Sequence, residues 1–290
     1  MKLEEIQKSI SHLFYDYFKE YKGGNNLSLP HIPLISEDYL NNRIIVLGQE
    51  TNTWYRKGDD DLREIYLKNY EPENIFYGTE PYKQFIEGPS QNYGGKFWQF
   101  NRSLYSEGII EGTFQKEGYL SHCWLNLFFV EAVKEKGDLN GRPSSNAQLR
   151  TEILRLQKDL LFRLIEILKP KVLIALTGKS LDPALFKDSL KLEWNEDHTV
   201  WSSVDASEIF QPHELSEVQV IKTGHPLQNT KILRAYHPTY FLGRINSNNK
   251  LKKIAEEKEL KGNLSQHYQN VIFDWVRNTK QEMSQKTSQE

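Results

Sequence analysis

The sequence predicts an α/β fold with a central, mainly parallel sheet, on the strength of two observations. Several short apolar runs lack the apolar–polar alternation of half-exposed strands, which is typical of strands buried on both faces. Helical patterns separate these runs, and strands that alternate with helices favour a parallel sheet. We therefore expect helices on both faces of one sheet.

The predicted strands are short and apolar. The first, RIIVL at 43–47, ends at Gly48. The second, CWLNLFFV at 123–130, is apolar apart from Asn126. Three further candidates lie at 171–176, 218–222 and 231–235.

The predicted helices show apolar residues at three- and four-residue steps. The opening stripe covers 6–18, and the clearest stripe covers 151–168, where Pro170 stops the helix. A short helix is predicted at 97–104, and a final helix at 268–275.

The pattern favours one domain over residues 1–280, followed by a polar tail at 281–290. Within this domain, 182–217 is acidic and has no clear periodicity. We expect that segment to be an irregular excursion that lies away from the ligand or contacts a partner.

Composition excludes several classes of protein. The chain has 290 residues, and its net charge of −2 excludes a polybasic protein, so any nucleic-acid contact needs a local basic patch. A single cysteine excludes a disulfide framework or a cysteine-rich metal site. No secretory signal or membrane-spanning run is present, so we expect a cytoplasmic protein that contacts no membrane.

Polar residues follow the predicted strands, where ligands bind in open α/β sheets. Gln49 and Glu50 follow the first strand, and Asn126 lies within the second. His237 follows the last strand. The segment 177–180, TGKS, follows the third strand but lacks the upstream glycine of a phosphate-binding loop, so an ordinary turn is favoured there.

Each of these residues also has a structural interpretation. Glu50 either caps a following helix or acts on a ligand. Asn126 either makes a structural hydrogen bond or binds a ligand, because an unpaired buried amide costs about 1–3 kcal/mol. His237 is either a turn residue or a functional one. A second histidine–proline pair begins at His225, but only His237 has an apolar strand before it and aromatic residues after it.

Together these segments resemble the uracil-DNA glycosylase superfamily. Gly48-Gln49-Glu50 is similar to its water-positioning motif, and Trp124-Leu125-Asn126 to its base-reading strand. AYHPTYF at 235–241 is similar to its histidine–proline motif and wedge loop, and GGKFW at 94–98 to a helix start of its mismatch-specific branch. The resemblance implies a three-layer sandwich with a four-stranded sheet, and a DNA partner.

The sequence differs from this family at the residues that determine which base enters the pocket. Glu50 replaces the usual Asp or Asn, and Thr51-Asn52 replace the residues that normally follow it. A bulky residue there screens out larger bases in uracil-specific members, so the pocket of this chain is expected to admit bases other than uracil. The single cysteine excludes the iron–sulfur branch.

The resemblance implies a role for each matching residue. Glu50 would activate water or stabilise the cationic sugar, and His237 would donate to the departing base. The residues expected to recognise or stack on a flipped base are Gln49, Asn52, Trp54, Tyr55, Phe97 and Asn126. The residues expected to fill the vacated space or to contact the DNA backbone are Tyr240, Phe241, Leu242 and Arg244.

The leading hypothesis is therefore a monofunctional DNA glycosylase that removes uracil or a bulkier modified cytosine, in repair or in defence against phage DNA. Under this hypothesis we expect a monomer that needs no metal or organic cofactor. The alternative is a non-catalytic module that binds DNA or nucleobases on the same fold. An unrelated α/β hydrolase is disfavoured, because the chain has no Gly-x-Ser-x-Gly motif.

Overall fold

The computed structural model describes residues 2–19, 27–51, 71, 74, 78–112, 114, 119–132, 141–193 and 195–287. In this part of the chain one sheet has six strands in the order β2-β1-β3-β6-β5-β4. The strands are β1 (Ile44–Gly48), β2 (Cys123–Asn126), β3 (Val172–Ala175), β4 (Thr199–Ser203), β5 (Ser216–Val220) and β6 (Lys231–Arg234). The expected mixed α/β class with a mainly parallel sheet is confirmed, but the expected number of four strands is wrong.

Four of the strands, β2-β1-β3-β6, are parallel. Gly48 pairs with Asn126 and Ala175 pairs with Arg234, so the carboxyl ends of these strands lie along one edge of the sheet. Beyond β2, Leu127 donates a backbone hydrogen bond to Gly48 (3.0 Å) and Phe128 donates one to Gln49 (2.9 Å). These bonds hold the start of the loop after β1 against the segment that follows β2.

Of the two antiparallel strands, β4 lies in the segment expected to be irregular, whereas β5 overlaps the predicted strand 218–222. β5 pairs antiparallel with β6, and β4 pairs antiparallel with β5. A π-helical segment, Pro183–Ser189, precedes them. The expectation of an irregular excursion at 182–217 is therefore wrong. Apolar periodicity misses β4 because it is a mostly exposed edge strand whose sequence, TVWSS, is largely polar.

The helices in the described part of the chain also differ in extent from the predictions. The predicted helix 151–168 is two helices, because Asp159 adopts the left-handed conformation (φ 66°) and breaks it. The last helix continues to residue 287, so most of the expected tail is helical. The helices are α1 (Leu3–Phe18), α2 (Glu37–Asn42), α3 (Glu80–Glu87), α4 (Lys96–Ser106), α5 (Ala147–Leu156), α6 (Leu160–Leu168), α7 (Pro238–Phe241), α8 (Asn249–Glu257) and α9 (Leu264–Thr287).

Apolar side chains cover both faces of the sheet. Ile45 and Leu47 of β1 pack on one face with residues of α1, α5 and α6. Ile44 and Val46 pack on the other face with residues of α4, α8 and α9. This double burial explains why β1 is a continuous apolar run. None of the helices that the structure describes is long and apolar enough to cross a membrane.

A buried ion pair fixes the end of β6. Arg234 is fully buried and donates from Nε and Nη2 to the two carboxylate oxygens of Asp182 (3.0 and 2.7 Å). Two residues later, the backbone N–H of Tyr236 donates to the hydroxyl of Tyr268 on α9 (2.8 Å). The chain that enters the His237 turn is thus held from two sides.

Candidate active site

A cavity of about 750 Å³ opens beyond the carboxyl ends of the parallel strands. It brings together several residues predicted from the sequence. Those that line it are Gln49, Glu50, Phe97, His237, Tyr240 and Arg244. Residues from the loops after β1 and β6 therefore share one site with the first turn of α4, as the strand-end argument expects.

Gly48 permits the close packing at the floor of this region. A Cβ atom on Gly48 would lie 2.7 Å from Oδ1 of Asn126 and 3.0 Å from the ring of Phe97. Both distances are shorter than ordinary contacts with carbon. Glycine at the end of β1 is therefore required by the approach of two predicted site residues.

Glu50 is half-buried, and both of its carboxylate oxygens contact one residue. The backbone N–H of Ser144 donates to Oε2 (2.9 Å), and the Ser144 hydroxyl donates to Oε1. Burial raises the pKa of Glu50 to about 7, although the hydrogen bonds from Ser144 act in the opposite direction. A carboxyl group with this pKa exchanges a proton near neutral pH, as a general base does.

His237 caps the short helix α7. Its Nδ1 accepts a hydrogen bond from the backbone N–H of Thr239 (3.3 Å), and burial lowers the pKa of the ring to about 4. The imidazole is therefore neutral at pH 7 and carries its proton on Nε2. Its ring is nearly parallel to that of Phe97 (12°, centroids 6.1 Å apart).

The two predicted amides are engaged within the protein. Asn126 is almost fully buried and is not among the cavity-lining residues. Its Oδ1 accepts from Nε1 of Trp124 (3.3 Å), and its Nδ2 lies 3.4 Å from Nδ1 of His31. Gln49 does line the cavity, but its Nε2 donates to the backbone oxygen of Thr177 (2.7 Å). The structural interpretation of Asn126 therefore fits this arrangement better than base reading.

The predicted wedge is only partly at the surface. Phe241 is fully buried, because α7 turns it inward against Phe100 and Tyr268, so its expected role as a wedge is wrong. Tyr240 is half-buried, and its hydroxyl accepts from Asn248 (3.0 Å). Of the other residues expected at this loop, Leu242 is half-buried and Arg244 is exposed. The base-recognition candidates Asn52, Trp54 and Tyr55 lie outside the described residues.

Two groups of cavity residues were not predicted. Arg142, Ser144 and Ser145 come from the segment before α5, where the run of serine and Asn146 is a recognisable helix-start signal. An aromatic wall forms the second group, and its members contact one another in a chain. This aromatic wall consists of Phe85, Tyr93, Trp98 and Trp124.

A serine, a histidine and an aspartate also meet outside the cavity, but not as a nucleophilic triad. The Ser207 hydroxyl donates to Oδ1 of Asp205 (2.6 Å), and Nε2 of His267 faces both the serine (2.8 Å) and the aspartate (3.3 Å). A triad needs the aspartate on Nδ1 and the serine proton directed to the histidine. This network instead ties the chain after β4 to α9.

No group of three histidine, cysteine or acidic side chains in the described ranges is arranged to hold a metal ion. Comparison of the chain with protein-family models, with curated proteins and with solved structures found no match.

Proposed function

We propose that the protein is a DNA glycosylase that hydrolyses the N-glycosidic bond of a flipped pyrimidine and leaves an abasic site. The observation that carries the proposal is the meeting of Glu50 and His237 in one cavity. Cleavage of this bond passes through a cationic sugar while negative charge develops on the base. The reaction therefore needs an anion or base on the sugar side and a donor on the base side.

Glu50 supplies the first requirement. Its raised pKa keeps it basic enough to accept a proton from water near pH 7, and its negative charge stabilises a cationic sugar. Each of its oxygens accepts one hydrogen bond from Ser144 and keeps a second acceptor site. A water molecule can therefore bind to Glu50 without displacing Ser144.

His237 supplies the second requirement. A neutral ring with its proton on Nε2 is a hydrogen-bond donor that brings no net charge of its own. Donation to an oxygen of the departing base stabilises the negative charge that develops there. In the part of the chain that the structure describes, no group forms a hydrogen bond with Nε2 of His237, which leaves it for a ligand.

The size of the cavity favours a base bulkier than uracil. A pyrimidine base has about eight heavy atoms, and roughly 30 Å³ for each, the volume of one separate water molecule in the liquid, gives an upper bound of about 240 Å³. The cavity of about 750 Å³ therefore holds a base with space for a substituent. Gln84 and the aromatic wall line the same cavity, and flat apolar faces suit a bulky modified cytosine.

DNA is the partner that follows from this proposal. Arg244 is exposed at the cavity and Lys96 lies at the start of α4, so both are placed to meet phosphates at its mouth. Leu242 remains the candidate for the apolar wedge. A monomeric, cytoplasmic protein that works without a cofactor stays a prediction.

The proposal is tested with DNA duplexes that carry uracil, a thymine mismatch, hydroxymethylcytosine or glucosylated hydroxymethylcytosine, each treated with alkali after incubation. We expect alkali-sensitive sites at one of the bulky cytosines. Glu50→Gln should lower the rate by about 10²–10⁴-fold, whereas the exposed Glu196→Gln should leave it unchanged. Failure to cleave any of the four duplexes would contradict the proposal.

One observation favours the alternative of a non-catalytic binding module. The amide of Asn126, which the family resemblance assigns to base reading, is held by Trp124 and does not line the cavity. Tight binding to one of the four duplexes without any product, equal in the protein and in Glu50→Gln, would support this alternative over the enzyme.

A further inference from the structure

Ser144 contacts Glu50 across 94 positions of sequence. Its backbone N–H donates a hydrogen bond to one carboxylate oxygen, and its hydroxyl donates to the other. Two bonds from one residue fix both the position and the rotation of a carboxylate, as a single bond cannot.

Ser144 is itself held in place by its own segment. The backbone N–H groups of Ser145 and Asn146 both donate to the backbone oxygen of Arg142 (3.0 Å each). Nη1 of Arg150 donates to the backbone oxygen of Ser144 (3.2 Å). Asn146 then caps α5 by accepting from the N–H of Leu149 (3.1 Å). The donor pair of Ser144 is therefore anchored to the first turn of a helix.

A glutamate needs such an anchor more than a shorter acidic residue does. Its side chain has one more rotatable bond than aspartate, so an unanchored Glu50 would divide its time among several rotamers. We propose that Ser144 is a positioning residue that holds the Glu50 carboxylate in its reactive orientation. This inference rests on the proposed function, because it assigns Ser144 a role in the same reaction.

The charges around Glu50 determine how Ser144 affects its titration. Burial and the nearby carboxylate of Glu131 raise the pKa of Glu50, whereas the hydrogen bonds from Ser144 and the charge of Arg142 lower it. Removal of the Ser144 hydroxyl leaves the raising influences in place. The Glu50 pKa should therefore rise further. The fall in rate on the acid side of the pH–rate profile, called the acid limb, should then move to higher pH.

The test compares Ser144→Ala, Ser144→Thr and the exposed control Thr151→Ala on α5 in single-turnover base release between pH 5 and 9. We expect Ser144→Ala to lower the maximal single-turnover rate about 10–100-fold, with little change in the protein concentration that gives half of the maximal rate. We also expect its acid limb to move to higher pH. Ser144→Thr, which keeps the hydroxyl, should restore both quantities, and Thr151→Ala should match the unchanged protein.

A second readout does not depend on activity. The Glu50 carboxyl resonance, followed by carbon NMR in protein with labelled glutamate and assigned with Glu50→Gln, should titrate at higher pH in Ser144→Ala. An unchanged titration would overturn the inference even if the protein cleaves DNA. A shifted titration without base release from any duplex would overturn the proposed function and the role of Ser144 in it, but would leave the contact between the two residues established.

Discussion

The two histidine–proline turns of this protein differ in what the second ring nitrogen contacts. In both, Nδ1 accepts the backbone N–H two residues ahead, from Leu227 onto His225 (3.1 Å) and from Thr239 onto His237 (3.3 Å). Nε2 of His225 also donates to the backbone oxygen of Leu190 (2.8 Å). Both nitrogens of His225 are therefore committed to the backbone.

This difference separates a structural histidine from a candidate catalytic one. Burial lowers the pKa of both rings, so both are neutral at pH 7 with the proton on Nε2. At His225 that proton stabilises the fold, whereas His237 lines the cavity beside Phe97. The dipeptide itself does not distinguish the two roles. The distinction comes from the acceptor that the fold places opposite Nε2.

Among changes at the two histidine–proline turns, the largest effect is expected from His237→Asn. Asparagine keeps a side-chain acceptor for the N–H of Thr239 and so preserves the helix cap, but it removes the imidazole donor. Base release in single turnovers should fall by about 10²–10³-fold with little change in the unfolding midpoint. An unchanged rate would remove His237 from the reaction.

His225→Ala should show the opposite pattern. It leaves the buried backbone oxygen of Leu190 without its donor. It also removes the edge-to-face contact with the ring of Phe162, whose centroid lies 5.3 Å from that of the imidazole. The free energy of unfolding, measured in urea, should fall by about 1–3 kcal/mol, while base release at 25 °C stays unchanged. A loss of rate as large as that of His237→Asn would abolish the distinction between the two turns.

The smallest effect concerns stability in acid. The pKa of His237 falls from 6.5 to about 4 in the folded protein, so between these values the unfolded chain binds the proton first. The stability that this neutral ring contributes is complete above pH 6.5 and is lost as the pH falls towards 4. Between pH 7 and pH 4, the free energy of unfolding should therefore fall by about 1–2 kcal/mol less in His237→Asn than in the unchanged protein. The full shift would give a larger difference, but solvent partly screens this half-buried site. Urea unfolding at both pH values measures this difference, and equal losses would contradict it.

The parallel half of the sheet could be predicted from the sequence because its signals are local. Strands β1, β3 and β6 are buried on both faces, and a buried parallel strand is a continuous apolar run. The same reasoning placed Glu50 and His237 at one edge. In the antiparallel extension, β5 overlaps the predicted strand 218–222, but the exposed edge strand β4 could not be predicted in this way, because it has no apolar pattern.

The contacts that define the site depend on the tertiary fold. Ser144 reaches Glu50 from a distant loop, and only the fold brings them together. Phe241 follows His237 closely in sequence, but α7 turns its side chain into the core. The sequence pattern alone does not reveal that direction.

The most direct test of the central claim is the fate of labelled water in the proposed reaction. Duplexes that carry hydroxymethylcytosine or glucosylated hydroxymethylcytosine would be incubated in H₂¹⁸O with the protein, with His225→Ala and with His237→Asn, and the masses of the products would be measured by mass spectrometry. The account predicts a free modified base without label and an abasic sugar that carries one ¹⁸O, formed by the protein and by His225→Ala but barely by His237→Asn. Intact DNA in every sample, or equal product from both variants, would contradict it.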